Sequence, residues 1–131
     1  GYMEDESFEV APGVFLEQAD VRQFQLAKSA VYSAITALLN QKNIRPADVQ
    51  KLYISGGFSA KINIDNAVFC GLLPKELADR CVVLNNSSLL GTVRFACEQN
   101  DLEKIIQKAT YIDLATDPTF SQSFIENMMF T

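Results

Sequence analysis

The sequence of 131 residues contains no histidine and only three cysteines, Cys70, Cys81 and Cys97. Without histidine, catalytic triads that use imidazole as the general base are excluded, together with most zinc chemistry. The cysteines are odd in number, far apart and never in a C-x-x-C pair, so they predict neither a disulfide framework nor an iron–sulfur cluster. We expect them to be small, buried apolar residues.

The chain also lacks a long apolar run. Although 48% of its residues are apolar, no run reaches the ~18 residues of a membrane-spanning helix, so no membrane partner is expected. The acidic start at Glu4, Asp5 and Glu6 is unlike a signal peptide, and a cytoplasmic protein is predicted. The net charge is −5 and the basic residues are scattered, which argues against nucleic acid as a partner. Residues 1–6 are expected to be a flexible N-terminus or a remnant of cloning.

The first third of the chain predicts a β-hairpin followed by a long helix. Strand-like runs at residues 7–10 and 14–17 flank Pro12-Gly13, a pair suited to a type II turn. Asp20 offers an N-cap, and the helix is expected to reach Gln41. Apolar residues recur at three- and four-residue spacing on one face that should pack into the core: Phe24, Ala27, Val31, Ala34, Ile35 and Leu38.

The rest of the chain predicts alternating strands and helices. Strands are predicted at residues 51–55, 81–84 and 110–114. The first of these has a continuous apolar run, which is typical of a strand buried on both faces. Helices are predicted after Asn63, after the small polar residues 85–88, after Asp101, and from Asp117-Pro118 through Met129. A hairpin followed by alternating elements indicates an α/β fold with a mixed sheet flanked by helices.

The most informative local feature is an apolar strand that runs directly into a double glycine, Gly56-Gly57. Adjacent residues without a Cβ allow a positive φ and let a flat group, such as a nucleoside, approach the main chain closely. In open α/β sheets, ligands lie beyond the carboxyl ends of the strands. A tight turn alone would also explain the glycines, and helix capping would explain residues 85–88.

Four groups of residues, in matching order, resemble the C-terminal part of the reductive activators of corrinoid proteins. They are residues 25–30 (QLAKSA), residues 53–58 (YISGGF) with 66–68 and 71–74, residues 86–91 (NSSLLG), and residues 115–118 (ATDP) with Phe120 and Phe124. The likeness runs from about Phe8 to Phe130. It implies an RNase H-like half of the actin, sugar-kinase and chaperone ATPase superfamily, with residues 7–131 as the C-terminal subdomain of an actin-like ATPase unit.

The resemblance also implies a set of nucleotide contacts. The glycine turn would pack against adenosine, with the next two residues just beyond it. Three residues of the long helix would face the same ligand, because lysine and serine can donate hydrogen bonds to ribose or phosphate and a tyrosine ring can stack on adenine. The predicted cofactor-binding residues are therefore Gly56, Gly57, Phe58, Ser59, Lys28, Ser29 and Tyr32.

The resemblance finally implies a function. In those activators, ATP drives the return of an inactive Co(II) corrinoid to the methyl-accepting Co(I) state, with an electron from a low-potential iron–sulfur centre. The expected cofactor is ATP, with Mg²⁺ and a [2Fe-2S] cluster in a ferredoxin-like domain outside this chain, so the chain alone should be an inactive fragment. The expected partner is a corrinoid protein or a corrinoid methyltransferase component, and a homodimer is left open. The alternatives are a protein-binding domain of the same fold and a fragment of a sugar- or acetate-kinase-like phosphotransferase.

Overall fold

A computed structural model describes residues 7–57, 59–97 and 102–130 of the chain. Predictions made for residues 1–6, Phe58 and Asp101 lie outside this range. The strands are β1 (Phe8–Ala11), β2 (Val14–Leu16), β3 (Leu52–Ile54) and β4 (Cys81–Val83). The helices are α1 (Gln18–Gln41), α2 (Ile64–Phe69), α3 (Ser87–Cys97), α4 (Leu102–Lys108) and α5 (Pro118–Glu126). Short 3-10 turns lie at Pro46–Asp48, Ser59–Lys61, Lys75–Arg80 and Leu114–Thr116.

The strands form two small sheets within the described residues. β1 and β2 make the predicted antiparallel hairpin, with Gly13 at a φ of 75° in its turn. β3 and β4 pair in parallel, with Leu52 opposite Cys81 and Ile54 opposite Val83. A parallel pair requires a crossover connection, which α2 and the turn that follows it supply. The predicted α/β class is confirmed, with its antiparallel and parallel pairings in separate sheets.

Helix α1 has clear signals at both ends. The backbone N–H of Glu17 donates to the Asp20 carboxylate (2.9 Å), so Glu17 is the N-cap residue and Asp20 acts from the first turn. The prediction that Asp20 is itself the N-cap was therefore wrong by three residues. The helix ends at Gln41 as predicted, and Asn43, at a φ of 52°, follows in the left-handed conformation that commonly terminates helices.

The buried face of α1 differs from the predicted apolar face. Phe24, Val31 and Leu38 are 41%, 42% and 44% exposed. The residues that are buried are Lys28, Ser29, Ser33 and Ala37. This face packs on α5, the most extensive contact between two elements, because small side chains let the two helix backbones approach closely. The hydroxyl of Ser33 donates to that of Ser123 across the contact (3.0 Å), which satisfies both buried polar groups.

Four other predictions need correction. Tyr53 in β3 is 57% exposed, so this strand is not buried on both faces within the described chain. The strand predicted at residues 110–114 is irregular and leads into a 3-10 turn, which the Asp113 carboxylate caps by accepting from the N–H of Ala115 (3.0 Å). Helix α5 ends at Glu126 rather than at Met129. Cys97 is exposed and the other two cysteines are half-buried, so the cysteines are not core residues.

Among the described residues, the buried apolar residues are few: Ala37 in α1, Ala67 in α2, and Leu73 and Leu77 between α2 and β4. Among the described residues, no helix combines the length and the apolar character needed to cross a membrane.

The observed face of α1 can be tested with one substitution made at two positions. Ala37→Leu places a larger side chain in the α1–α5 contact and should lower the free energy of unfolding by roughly 1–3 kcal/mol. Ala27→Leu is the matched control, because Ala27 belongs to the predicted face but is exposed. Urea unfolding followed by circular dichroism measures both. Equal stability losses, or a larger loss at Ala27, would contradict the observed packing.

Candidate functional site

The parallel pairing of β3 and β4 brings two turns to one edge of the sheet. Strands that run in the same direction end on the same side, so the chain following β3 and the chain following β4 emerge together. The N–H of Leu84 donates to the carbonyl oxygen of Ile54 (2.8 Å), which extends the pairing to the last residue of β3. Gly56 and Gly57 follow β3, and the start of α3 follows β4.

The glycine turn presents bare main chain at this edge. Gly56 is half-buried with a φ of 121°, a conformation that residues with a Cβ rarely adopt, whereas Gly57 is exposed and has no such φ. A Cβ built on either glycine would meet no atom of the described residues within 4 Å, apart from its own chain neighbours. Among the described residues, space therefore lies beside both glycines, as expected if a flat ligand can approach this backbone.

The buried side chain of Ser59 holds the glycine turn by hydrogen bonds. Its side chain is 3% exposed, and its hydroxyl lies 2.7 Å from the carbonyl oxygen of Gly56 and 2.9 Å from that of Leu84. These two carbonyls belong to the turns that follow β3 and β4. Ser59 thus connects the two strand ends, while the predicted neighbour Phe58 lies outside the described residues.

The start of α3 is tied to the same edge. The hydroxyl of Ser55 accepts from the backbone N–H of Ser87 (3.1 Å), bonds the Ser87 hydroxyl and reaches the carbonyl oxygen of Asn85 (3.3 Å). The side-chain oxygen of Asn86 accepts from the N–H of Leu89 (3.2 Å), as a helix cap does. The capping interpretation of residues 85–88 is therefore confirmed.

Lys28, predicted to contact the nucleotide, bonds the segment that follows α5 in this structure. Its side chain is 3% exposed, and its ammonium donates to the carbonyl oxygen of Met129 (2.7 Å) and lies 4.8 Å from the centre of the Phe130 ring. The lack of a side chain at Gly71 makes room for this ammonium, because a Cβ there would lie 3.3 Å from the lysine nitrogen, closer than an ordinary contact. A carbonyl and an aromatic face, rather than a carboxylate of the described residues, stabilise this buried charge.

Ser29 and Tyr32 differ in accessibility. Ser29 has no exposed surface and donates its hydroxyl to the carbonyl oxygen of Phe124, so a ligand could reach it only if α5 moved. Tyr32 is half-buried, and burial, with a smaller contribution from Glu76, raises the pKa of its phenol. The phenol therefore remains protonated at neutral pH and keeps a hydrogen-bond donor.

The segment after α5 is a feature that the sequence analysis missed. The amide of Asn127 donates to the carbonyl oxygen of Ser123 (2.8 Å), and the Phe130 ring stacks on Phe24 with centroids 6.1 Å apart. The chain thus turns back over the first half of α1. The weak indication in the sequence was Phe24, an aromatic residue on the predicted apolar face of α1.

A separate polar cavity of about 340 Å³ lies at the opposite end of α1. Gln41, Lys42, Asp117 and the irregular residues 110–113 line it, and none of the predicted nucleotide contacts does. The Gln41 amide donates to the Asp117 carboxylate (2.8 Å), which also accepts from the N–H of Phe120 (3.0 Å) and so caps α5. These two bonds, the first above all, hold the pKa of Asp117 below its ordinary value.

The described residues contain no group of three or more histidine, cysteine, aspartate or glutamate side chains placed to hold a metal ion. An iron–sulfur cluster needs several thiolate ligands in one place, and the free Cys70, Cys81 and Cys97 form no such group within the described residues.

Comparisons with known proteins agree on one family. The sequence matches, over residues 2–131, the family described as the C-terminal domain of RACo, the ASKHA domain. It is 32% identical over 120 residues to the corrinoid activation enzyme RamQ of Eubacterium limosum, which covers 89% of this chain and 20% of that protein. It is 25% identical over 121 residues to the [Co(II) methylated amine-specific corrinoid protein] reductase of Methanosarcina barkeri, covering 88% of this chain and 22% of that one.

A solved structure supports the same assignment. A reductive activator for corrinoid, iron-sulfur protein superposes with a TM-score of 0.78 and 27% identity, over 88% of this chain and 19% of that chain. The family match and the structural likeness thus assign the fold to the actin-like α/β class. The chain belongs to the family of C-terminal ASKHA domains of RACo. It spans about a fifth of the length of the curated relatives it matches.

The role of Lys28 can be measured at the segment it holds. Lys28→Met removes the donor to Met129 and the charge beside Phe130, so amide hydrogen exchange at residues 127–130 should become faster. Lys51→Met, at an exposed lysine, is the control and should leave that exchange unchanged. Equal protection of the segment in both variants would show that Lys28 does not hold it.

The depressed pKa of Asp117 predicts a pH-dependent stability. Because the folded-state pKa lies below the ordinary value of 3.8, the ionised carboxylate stabilises the fold above that value, and the contribution is lost as the pH falls below it. Asp117→Asn can still cap α5 but carries no charge. The stability gap between wild type and this variant, from urea unfolding over a pH series, should close on acidification. It should be smaller at neutral pH in a Gln41→Ala background, and a gap independent of both pH and Gln41 would refute the assignment.

Proposed function

We propose that this domain forms the adenosine-side wall of an ATP-dependent reductive activator of corrinoid proteins. The observation that carries the proposal is the glycine turn. Its bare main chain lies at the shared carboxyl end of two parallel strands, and the described residues leave space beside it. Membership of the ASKHA family supports ATP as the ligand, and the printed names of the relatives support a corrinoid protein as the partner.

The residues at the turn fit the sugar and base of a nucleotide. The base of a nucleoside is flat and its sugar is shallow. A backbone without Cβ atoms lets either of them pack directly on the peptide plane. Gly57 would provide the open main chain, while the carbonyl of Gly56 points to Ser59 and is already bonded. The phosphates and Mg²⁺ would be held by other parts of the parent protein, since no acidic cluster of the described residues is placed to hold the ion.

The three predicted contacts on α1 are unequal candidates. The polar atoms of Lys28 and Ser29 are buried and bonded to α5 and the segment after it. Tyr32 retains exposed surface and a protonated phenol, so we keep it as the candidate on this helix. Contact of any of the three with the nucleotide stays a prediction.

The adenosine-side wall would contribute to function by coupling nucleotide binding to the arrangement of the domains. Bound ATP would supply the free energy for returning Co(II) to Co(I), with the electron from a [2Fe-2S] cluster held elsewhere in the parent protein. Nucleotide can shift a domain arrangement only if it binds one arrangement more tightly than the other. A wall that contacts adenosine only when the second lobe closes would provide such a difference in affinity. The parent would act in the cytoplasm, on a corrinoid protein or a corrinoid methyltransferase component.

Gly57 gives a direct test in the full-length parent protein. Gly57→Val adds a branched side chain in the open space beside the turn, where the backbone φ tolerates a Cβ, so the fold should be retained. We expect the affinity for ATP and ADP, measured by titration calorimetry, to fall about tenfold or more, equivalent to roughly 1.4 kcal/mol. Gly91→Val in α3 is the matched control, because its Cβ would also meet no atom of the described residues within 4 Å.

Two results would count against the proposal. If the wild-type parent binds neither nucleotide, a protein-binding role for this fold becomes the better account. If both glycine variants bind ATP as the wild type does, the glycine turn is not part of the nucleotide site.

A further inference from the structure

Ser59 stands out because a single buried hydroxyl contacts two main-chain carbonyls from different strands. We propose that Ser59 is a positioning residue of the adenosine site, which acts on the nucleotide through the Gly56 peptide without touching the ligand. This inference rests on the proposed function and assigns to Ser59 a role different from the direct contact predicted by resemblance.

The geometry leaves the hydroxyl no free proton to donate to a ligand, and burial keeps a ligand from its oxygen. One hydroxyl proton lies within bonding distance of two acceptors, the carbonyl oxygens of Gly56 at 2.7 Å and Leu84 at 2.9 Å, which is a shared bond. The backbone N–H of Ser59 also donates to the carbonyl oxygen of Gly56 (3.2 Å). The side chain is 3% exposed, so neither solvent nor a nucleotide reaches it in this conformation.

The hydroxyl bond adds a second, shorter restraint on a peptide that the backbone N–H of Ser59 also holds. The carbonyl of Gly56 belongs to the peptide that joins Gly56 to Gly57, so holding its oxygen fixes the orientation of the plane on which adenosine would pack. Gly56 needs this restraint, because glycine at a φ of 121° has many other conformations of similar energy. Binding to a turn that must first be ordered costs affinity, and a preformed turn avoids that cost.

Leu84 is a suitable anchor for this restraint. Its N–H already donates to Ile54 of β3 (2.8 Å), and its carbonyl oxygen receives the Ser59 hydroxyl. Both polar backbone groups of Leu84 are therefore tied to the β3 side of the edge. Because Ser59 is buried, water cannot readily replace a lost hydroxyl, and both carbonyls would be left with weaker bonding.

The test uses Ser59→Ala, Ser59→Cys and Ser59→Thr in the full-length parent protein. We expect Ser59→Ala to weaken ATP and ADP binding about tenfold, Ser59→Cys to be intermediate because its S–H is a weak donor, and Ser59→Thr to retain most of the affinity. Without nucleotide, amide exchange at Gly57 should be faster in Ser59→Ala than in wild type. Ser33→Ala is the matched control: it removes another buried, bonded hydroxyl and should lower the thermal midpoint while leaving nucleotide affinity unchanged.

The outcomes separate this inference from the proposed function. If the wild type binds no nucleotide, the proposed function fails and the inference fails with it. If the wild type binds nucleotide and Ser59→Ala binds it equally well, only the role of Ser59 is overturned. Should the alanine variant not fold, Ser59→Cys takes its place in this comparison. Equal losses in the alanine and threonine variants, or an equal loss in Ser33→Ala, would also overturn it, because the effect would not depend on a hydroxyl at this position.

Discussion

The parallel pairing of β3 with β4 is the constraint on which the candidate site depends. It places the turn after β3 and the turn after β4 at one edge, where Ser55 and Ser59 bond across from one strand end to the other. Without that pairing, Gly56 and Gly57 would be an ordinary loop. With it, the two turns are bonded to each other, and a backbone lacking Cβ atoms lies at the shared edge where we propose that adenosine packs.

The second half of the structure depends on a polar contact between helices. α1 and α5 meet through serine hydroxyls and an alanine, and Lys28 bonds the segment that follows α5. This contact leaves Phe24, Val31 and Leu38 of α1 partly exposed, on a chain that spans about a fifth of its curated relatives. The small residues determine which face of α1 packs on α5, because only small side chains let the two helix backbones come close enough for serine hydroxyls to bond across the contact.

The sequence predicted the elements better than it predicted their surroundings. Local rules suffice for the hairpin at Gly13, the end of α1 and the cap at Asn86, because each depends on neighbouring residues. The prediction of the buried face of α1 was wrong because periodicity identifies apolar faces. In the structure, α5 packs instead on the face with small and polar residues. The glycine turn was found from its local pattern. The bond from Ser59 to Leu84 joins residues 25 apart and depends on the pairing of two strands, which no local pattern encodes.

The most direct test of the central claim is a crystal structure of the full-length parent protein with a non-hydrolysable ATP analogue. We predict that the adenosine packs on the main chain at Gly56 and Gly57, with the Ser59 hydroxyl still bonded to the carbonyls of Gly56 and Leu84. A nucleotide bound elsewhere, or a glycine turn covered by side chains of the protein in the complex, would contradict the account.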